Sequence, residues 1–450
     1  MIDTEYITGR SPSLRALGWS RGYHPSLRAC GGSFFGRKVR TQRHFLAAYR
    51  GTGSVPAKAV TRRKAPLAKD FSPSLAVLLF LLGILVIGTA LPACAQKKPT
   101  AAPPRKAVVS PWDVEAREYL GTPESERAVD KGLQYLAAHQ QADGHWSSGG
   151  YTGDVAITGL SLLAFLAAGH QPGRGRYGLV LNEAVDFLAK CVRMDGRFGA
   201  AGLVRSDPSV GQSGQPMYGH GFATLALAEV YGMTRRRDLK PKIEAAIHLI
   251  EDTQNIDGQP RLDGGWRYQP AQGDSDISVT VVQVLALRAA RNAGLKVTQS
   301  TIDRALAYMK RCANNYDHGF SYQVQIHQSG PARTGAGVLS LLMAGMRDSP
   351  ECQGGLTYLV NRPPLEGRNE WTYREHFFYT IYYVTQAMYQ AGGDYWKRWY
   401  PGIRDFLVKK QDGDGNWGNF GYSEAGSEYA TAMAVLVLQV PAGLLPIYQK

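Results

Sequence analysis

Cysteine is scarce in this 450-residue chain: there are five, and no two form a Cys-x-x-Cys pair. Cys30 and Cys94 fall in the N-terminal part. That leaves Cys191, Cys312 and Cys352, an odd number that excludes a disulfide framework. Zinc-site spacing is missing too. No His-Glu-x-x-His occurs and no Asp-x-Cys pairs with a later His, whereas zinc needs three or four ligands in tight geometry. No metal and no cofactor are expected. Strand signals are few, and the Gly-rich pieces read as loops. Charge is thin outside the leader. Residues 1–70 hold 14 of the 51 Lys/Arg and three of the 37 Asp/Glu, so they carry +11 of the net +14, and the other 380 residues carry +3. No basic stripe with interleaved aromatics is left over, which argues against a nucleic-acid partner.

Long apolar runs are also lacking, with one exception, Leu75–Leu91. Arg62-Arg63-Lys64 and Lys69 precede it and Ala93-Cys94-Ala95 follows. A basic flank, an apolar segment and a small-x-small site describe a secretory signal. The run also just reaches the length of a membrane helix. Leu91-Pro92-Ala93-Cys94 resembles a bacterial lipoprotein box. A cleaved signal, a retained anchor in residues 75–91 and a lipid on Cys94 all remain open. Each places the remainder of the chain at the cell envelope, membrane-anchored or exported to the periplasmic side. Residues 1–70, rich in Arg, Ser and Gly, read as a disordered leader, 71–96 as the signal or anchor, and 97–124 as a linker.

What the chain does have is a recurring phrase. Tyr135-Leu136-x3-Gln140-x3-Gly144-x-Trp146 returns with the same spacing as Phe406-Leu407-x3-Gln411-x3-Gly415-x-Trp417. A third copy, Leu249-Ile250-x3-Gln254-x3-Gly258, reaches its aromatic later, at Gly265-Trp266. Self-similarity at such a period means one supersecondary unit copied several times. Six units follow, with first helices starting near Ala128, Ala184, Ala245, Ala305, Gly355 and Ile403. In each unit an amphipathic helix precedes one that is apolar nearly all round. The latter are Ala156–Ala168, Ala223–Val230, Val279–Ala290, Gly337–Met346, Tyr379–Met388 and Tyr429–Val440. A helix apolar on all sides is normally buried. The expectation is an all-α chain over residues 125–440. Six outer–inner helix pairs close an α/α toroid, preceded by the leader and one hydrophobic signal or anchor helix.

The phrase resembles the QW motif of the prenyltransferase and squalene–hopene cyclase repeat family, whose members form α/α toroids. The resemblance is full in units one and six, partial in unit three, and degenerate in the others (Asp195-Gly196-x-Phe198, Gly319-Phe320, Glu370-Trp371). It implies a single-toroid, squalene-cyclase-like member. The residues of the phrase have a packing reason: a Gln amide meets backbone groups of the next helix start, an indole covers it, and Gly permits the turn.

Asp274-Ser275-Asp276-Ile277-Ser278 opens the third inner helix and resembles the Asp-x-Asp-Asp-Thr motif of class II triterpene cyclases. The resemblance makes Asp276 the acid that starts cyclisation, with Asp274 beside it. Ile277 stands where that motif has a second paired Asp. Such chemistry needs a carboxyl kept protonated over an apolar, aromatic cavity. The plainer reading is that Asp276 or Ser278 caps the helix.

Aligned, the inner-helix starts carry Asp154, His220, Asp276, Arg333, His376 and Glu428. Inner helices that all run the same way bring these to one mouth, around a pocket. Each also has a plain reading as a helix-start or loop residue. Trp371 and Tyr373, in an aromatic stretch with His376, are either core or a substrate wall. Two functions stay open. One is an enzyme on an apolar isoprenoid or lipid, terpene-cyclase-like with an incomplete acid motif. The other is a non-catalytic toroid that binds a ligand or protein partner. Carbohydrate cleavage would need two carboxylates across a cleft, which Asp154 and Glu428 could supply.

Overall fold

The structure is a computed structural model that describes residues 121–194, 201–205, 215–362, 376–420 and 425–449. The leader, the apolar run, most of the linker, and Trp371 and Tyr373 of the aromatic stretch lie outside the described residues. Among those described there are twelve α-helices, and extended pairing is confined to isolated bridges. No described helix is long and apolar enough to cross a membrane.

The helices come in pairs. Unit one holds α1 (Pro123–His139) and α2 (Val155–Ala167), and unit two α3 (Gly178–Cys191) and α4 (Pro216–Thr234). Unit three holds α5 (Leu239–Asp252) and α6 (Ile277–Asn292), and unit four α7 (Gln299–Arg311) and α8 (Pro331–Met343). Unit five holds α9 (Pro350–Val360) and α10 (Phe377–Ala391), and unit six α11 (Gly393–Lys410) and α12 (Ser427–Leu438). The even-numbered helices form a closed inner ring: each packs on the next, and α12 packs back on α2. The odd-numbered helices lie outside them, and α1 meets both α11 and α12 at the seam. Burial follows the apolar pattern. Every residue of α2 except Ala156 is buried, whereas α7 buries only Thr301, Ala305, Leu306, Tyr308 and Met309, one face of the helix. The six-pair toroid read from the sequence is therefore the architecture of the described residues.

The recurring phrase is a bracket between neighbouring units. The Gln140 amide donates to its own loop at Gly144 O (3.0 Å) and to Val180 O at the start of α3 (2.8 Å). Gln254 does the same to Gly264 O and Thr301 O, both at 2.9 Å. Gln411 closes the ring by donating to Ala128 O of α1 at 2.8 Å. The indoles of Trp146, Trp266 and Trp417 donate to Leu136 O, Ile250 O and Leu407 O at 2.7–2.8 Å. These carbonyls belong to the last turn of an outer helix or lie just before it, where helical partners run out. The bracket glycine has a positive φ and no room for a side chain. At Gly144 (φ +95°) a Cβ would lie 2.2 Å from Glu183 O, and at Gly415 (φ +98°) 2.6 Å from Lys131 O. In unit three this position is Gly264, not the Gly258 of the sequence alignment. Gly258 faces open space, while a Cβ on Gly264 would lie 2.2 Å from Arg304 O.

Most helix starts lie several residues before those expected, and the two largest differences are at α11 and α4. Helix α11 begins at Gly393, ten residues before Ile403, and runs through Pro401. Trp396, Trp399 and Tyr400 give it a buried stripe that outweighs the proline's missing donor. Helix α4 begins at Pro216, with Pro at its first position, where the lost N–H has no helical partner anyway. Beyond α12, two 3₁₀ turns, Val440–Ala442 and Pro446–Tyr448, bring Ile447 and Tyr448 into the core. There the Tyr448 hydroxyl meets that of Tyr382 at 2.5 Å, and Gln390 donates to Tyr448 O at 2.7 Å.

Candidate functional site

The starts of the inner helices share one mouth of the ring and enclose a cavity of about 600 Å³. Rings are prominent in its wall. Tyr151, Tyr218, Tyr268, Tyr322, Tyr379 and Tyr429 line it, one from each unit. Deeper along the helices the lining turns to Ile157, Leu160, Phe222 and Met433. The sequence reading missed this collar. Tyr151, Tyr268 and Tyr322 sit in loops and the other three in helix first turns, so no common offset from the repeat phrase aligns them. Partial signals were available: Tyr268 and Tyr322 each follow a bracket aromatic by two residues, and Tyr218, Tyr379 and Tyr429 are each the third residue of an inner helix.

Of the six polar residues expected around the mouth, Asp154, Arg333 and His376 line the cavity. Asp154 is buried and caps α2, its Oδ1 accepting from Ala156 N at 2.8 Å and Ile157 N at 3.2 Å. Burial raises its pKa and the two amides pull it back. His376 stands at the start of α10 with φ +58°, a left-handed conformation that is uncommon away from Gly and Asn.

His220 and Glu428 are corrections. His220 is fully buried and faces away from the cavity. Its Nδ1 accepts from Val204 N at 3.1 Å, and its Nε2 faces Ala246 O of α5 at 3.2 Å. Burial lowers its pKa to about 4, so the ring is neutral. It stands in unit two for a threonine used elsewhere. Thr158, Thr280, Thr334 and Thr431 each accept from the backbone N–H of the bracket aromatic, Trp146, Trp266, Phe320 and Trp417, at 2.9–3.4 Å. Glu428 turns outward, where the Tyr135 hydroxyl of α1 donates to it at 3.4 Å.

Asp274 and Asp276 lie behind the tyrosines rather than in the cavity wall. Asp276 has no exposed surface and caps α6, its Oδ1 accepting from Val279 N at 2.9 Å. Its Oδ2 lies 3.3 Å from Arg267 Nε, an ionic contact without hydrogen-bond alignment. Burial pushes its carboxyl up to about 6, against the opposing pull of the Val279 amide, Arg267 and the Tyr322 hydroxyl. Asp274 is paired with Arg267 Nη1 at 2.8 Å and accepts from Gln323 Nε2 at 3.0 Å. The Arg267 guanidinium also lies over the rings of Tyr268 (4.6 Å) and Tyr322 (5.3 Å), whose hydroxyls touch. Ser278, next to the cap, does line the cavity, and its carbonyl accepts from the Tyr379 hydroxyl at 3.4 Å. The acidic motif thus caps α6 and, through Arg267 and Tyr322, reaches the tyrosine wall.

No family profile matches the chain, and no curated protein does. Solved structures do. The α-1,6-mannanase GH76A of Salegentibacter sp. HEL1_6 matches at 8% identity and TM-score 0.50, covering 71% of this chain and 99% of that one. The type II terpene cyclase MstE from Scytonema matches at 13% identity and TM-score 0.48, covering 72% and 99%. The GH76 α-mannanase BT2949 of Bacteroides thetaiotaomicron matches at 10% identity and TM-score 0.48, covering 71% and 95%. At 8% identity the likeness to the Salegentibacter enzyme shows the fold alone, an α/α toroid, and the chemistry has to be argued from the site.

Proposed function

We propose that the cavity binds an apolar small molecule of the isoprenoid class. The observation that carries this reading is the collar, six tyrosines from six units around about 600 Å³ with an aliphatic and phenyl interior. That volume lies within the range of small-molecule pockets. Ring faces suit an alkene-rich chain and would also stabilise a cation formed on it. Carbohydrate cleavage fits less well. It needs two carboxylates facing each other, and among the described residues the cavity has one, Asp154, already committed to the start of α2.

Acid-initiated cyclisation is a second reading, supported by the raised pKa of Asp276. The carboxyl does not reach the cavity, so a proton would pass by way of Tyr322. That hydroxyl would give its proton to a bound alkene as it takes one from Asp276, and Arg267 would hold the carboxylate left behind. If conversion does not occur, the same geometry is that of a binding toroid. The cell envelope is the compartment we propose, on the strength of the apolar run Leu75–Leu91 and of Cys94.

Incubating the purified chain with envelope lipid extract and identifying the molecules retained or converted tests the proposal. An isoprenoid recovered with the protein supports binding, and a changed one supports cyclisation. Asp276→Asn keeps an oxygen for Val279 N and removes the proton, so it should retain ligand and convert none. If only water-soluble glycans are retained or cleaved, the isoprenoid reading is wrong.

A further inference from the structure

Resting on that reading of the cavity, we infer that the ligand carries an anionic head group, held by Arg333 at the start of α8 with the apolar body inside the collar. Arg333 occupies the first turn of α8 and lines the cavity. Its guanidinium folds back over the helix start, so that a Cβ on Gly330 would lie 2.5 Å from its Nη2. A helix N-terminus is its positive end and favours acids, yet this first turn contains none and its cap, Gly330, offers no side-chain acceptor. Among the described residues no carboxylate lies within ion-pair distance of Arg333. The carboxylates nearby are engaged elsewhere: Asp154 with the amides of α2, and Asp274 and Asp276 with Arg267. A cation set against a helix dipole with no counter-charge among the described residues breaks a local rule, and such breaks concentrate at functional sites.

A second donor faces the same space. Tyr218 is partly buried and lines the cavity, and no hydrogen bond among the described residues uses its hydroxyl. Burial raises its pKa well above the usual value, so it stays a donor. Among the described residues the cavity therefore offers unmet donors and the positive charge of Arg333, with its one carboxylate, Asp154, committed. A wholly apolar ligand would shut both donors off from water without giving them an acceptor, and that desolvation has a cost. A carboxylate or phosphate ester on a prenyl chain would answer both.

The test is calorimetric titration of the full chain with three ligands that share one chain and differ in the head: geranylgeraniol, geranylgeranoic acid and geranylgeranyl phosphate. Inorganic phosphate serves as the head alone. The two acids should bind about tenfold or more tightly than the alcohol, as a charge-assisted contact implies, and the difference should shrink with added salt. Arg333→Gln should abolish the preference, so that the variant binds the acids no more tightly than it binds the alcohol. Its thermal midpoint should equal or exceed the parent's, since a cation leaves the helix start. Equal binding of all three, or a preference that survives Arg333→Gln, overturns the anionic head and leaves the isoprenoid reading standing. Failure of all three to bind overturns both.

Discussion

Replacing Thr158 by valine changes the chemistry of one position and almost none of its volume. The Thr158 hydroxyl accepts from Trp146 N at 3.1 Å and donates to Asp154 O at 2.9 Å, with Thr158 and Trp146 both fully buried. Valine leaves the Trp146 N–H without an acceptor in a site closed to water, a loss of about 1–3 kcal/mol. The extra buried methyl offsets up to about 0.8 kcal/mol. The Asp154 carbonyl still accepts from Thr158 N at 3.0 Å, so nothing else is orphaned. The net expectation is a loss of about 1–2 kcal/mol, which lowers the thermal midpoint by roughly 1.5–3 °C for a domain of this size. Thr224 supplies the control. It is equally buried, on an inner helix, but its hydroxyl has no partner among the described residues. Thr224→Val should be neutral or stabilising by up to about 1 kcal/mol. Thermal and urea unfolding of the two variants against the parent measures the contrast. Equal destabilisation by both, or none by Thr158→Val, would refute the bracket as a source of stability.

Two further outcomes follow from the same contacts. Gly415→Ala forces a side chain into φ +98° with its Cβ 2.6 Å from Lys131 O at the ring seam. It should cost at least about 1–3 kcal/mol, read as a fall in the urea midpoint, with the α1–α11 seam the first region to lose hydrogen-exchange protection. Glu229, buried on α4 below the cavity, has its pKa raised from 4.5 to about 8 by burial, with the Ile447 amide pulling it down. A raised folded-state pKa means a contribution fully present below the unfolded value and lost as pH rises through about 8. The parent's unfolding free energy should therefore fall between pH 5 and 9 more steeply than that of Glu229→Gln, and parallel profiles would contradict the assignment.

The fold was legible because the strongest copies of the phrase, at Gln140/Trp146 and Gln411/Trp417, mark real contacts between units, and because apolar and amphipathic helices alternate. The start of α11 was misplaced because Gly392-Gly393 and Pro401 read as breaks, whereas the buried Trp396, Trp399 and Tyr400 decide the helix. The site was less legible. Helix starts located the mouth and three of its residues, but a sequence cannot say which way a side chain turns at a helix start. Glu428 turns to Tyr135 and His220 to Val204 and Ala246. The tyrosine collar is split between loops (Tyr151, Tyr268, Tyr322) and helix first turns (Tyr218, Tyr379, Tyr429), so no single offset aligns all six. The acidic motif was visible, but not the Arg267 that ties both of its carboxylates together, because Arg267 follows the bracket aromatic Trp266 rather than the motif.

The measurement that bears most directly on the central claim is photo-crosslinking with an isoprenoid alcohol carrying a diazirine, followed by peptide mapping. Ligand seated in the collar should label peptides from the starts of several inner helices, including those with Tyr218, Ser278 and Tyr379. Unlabelled alcohol should compete, and Ala332→Trp, which fills the mouth at a half-buried position, should abolish the labelling. Labelling confined to outer-helix peptides, or unaffected by Ala332→Trp, would show that the cavity is not the binding site.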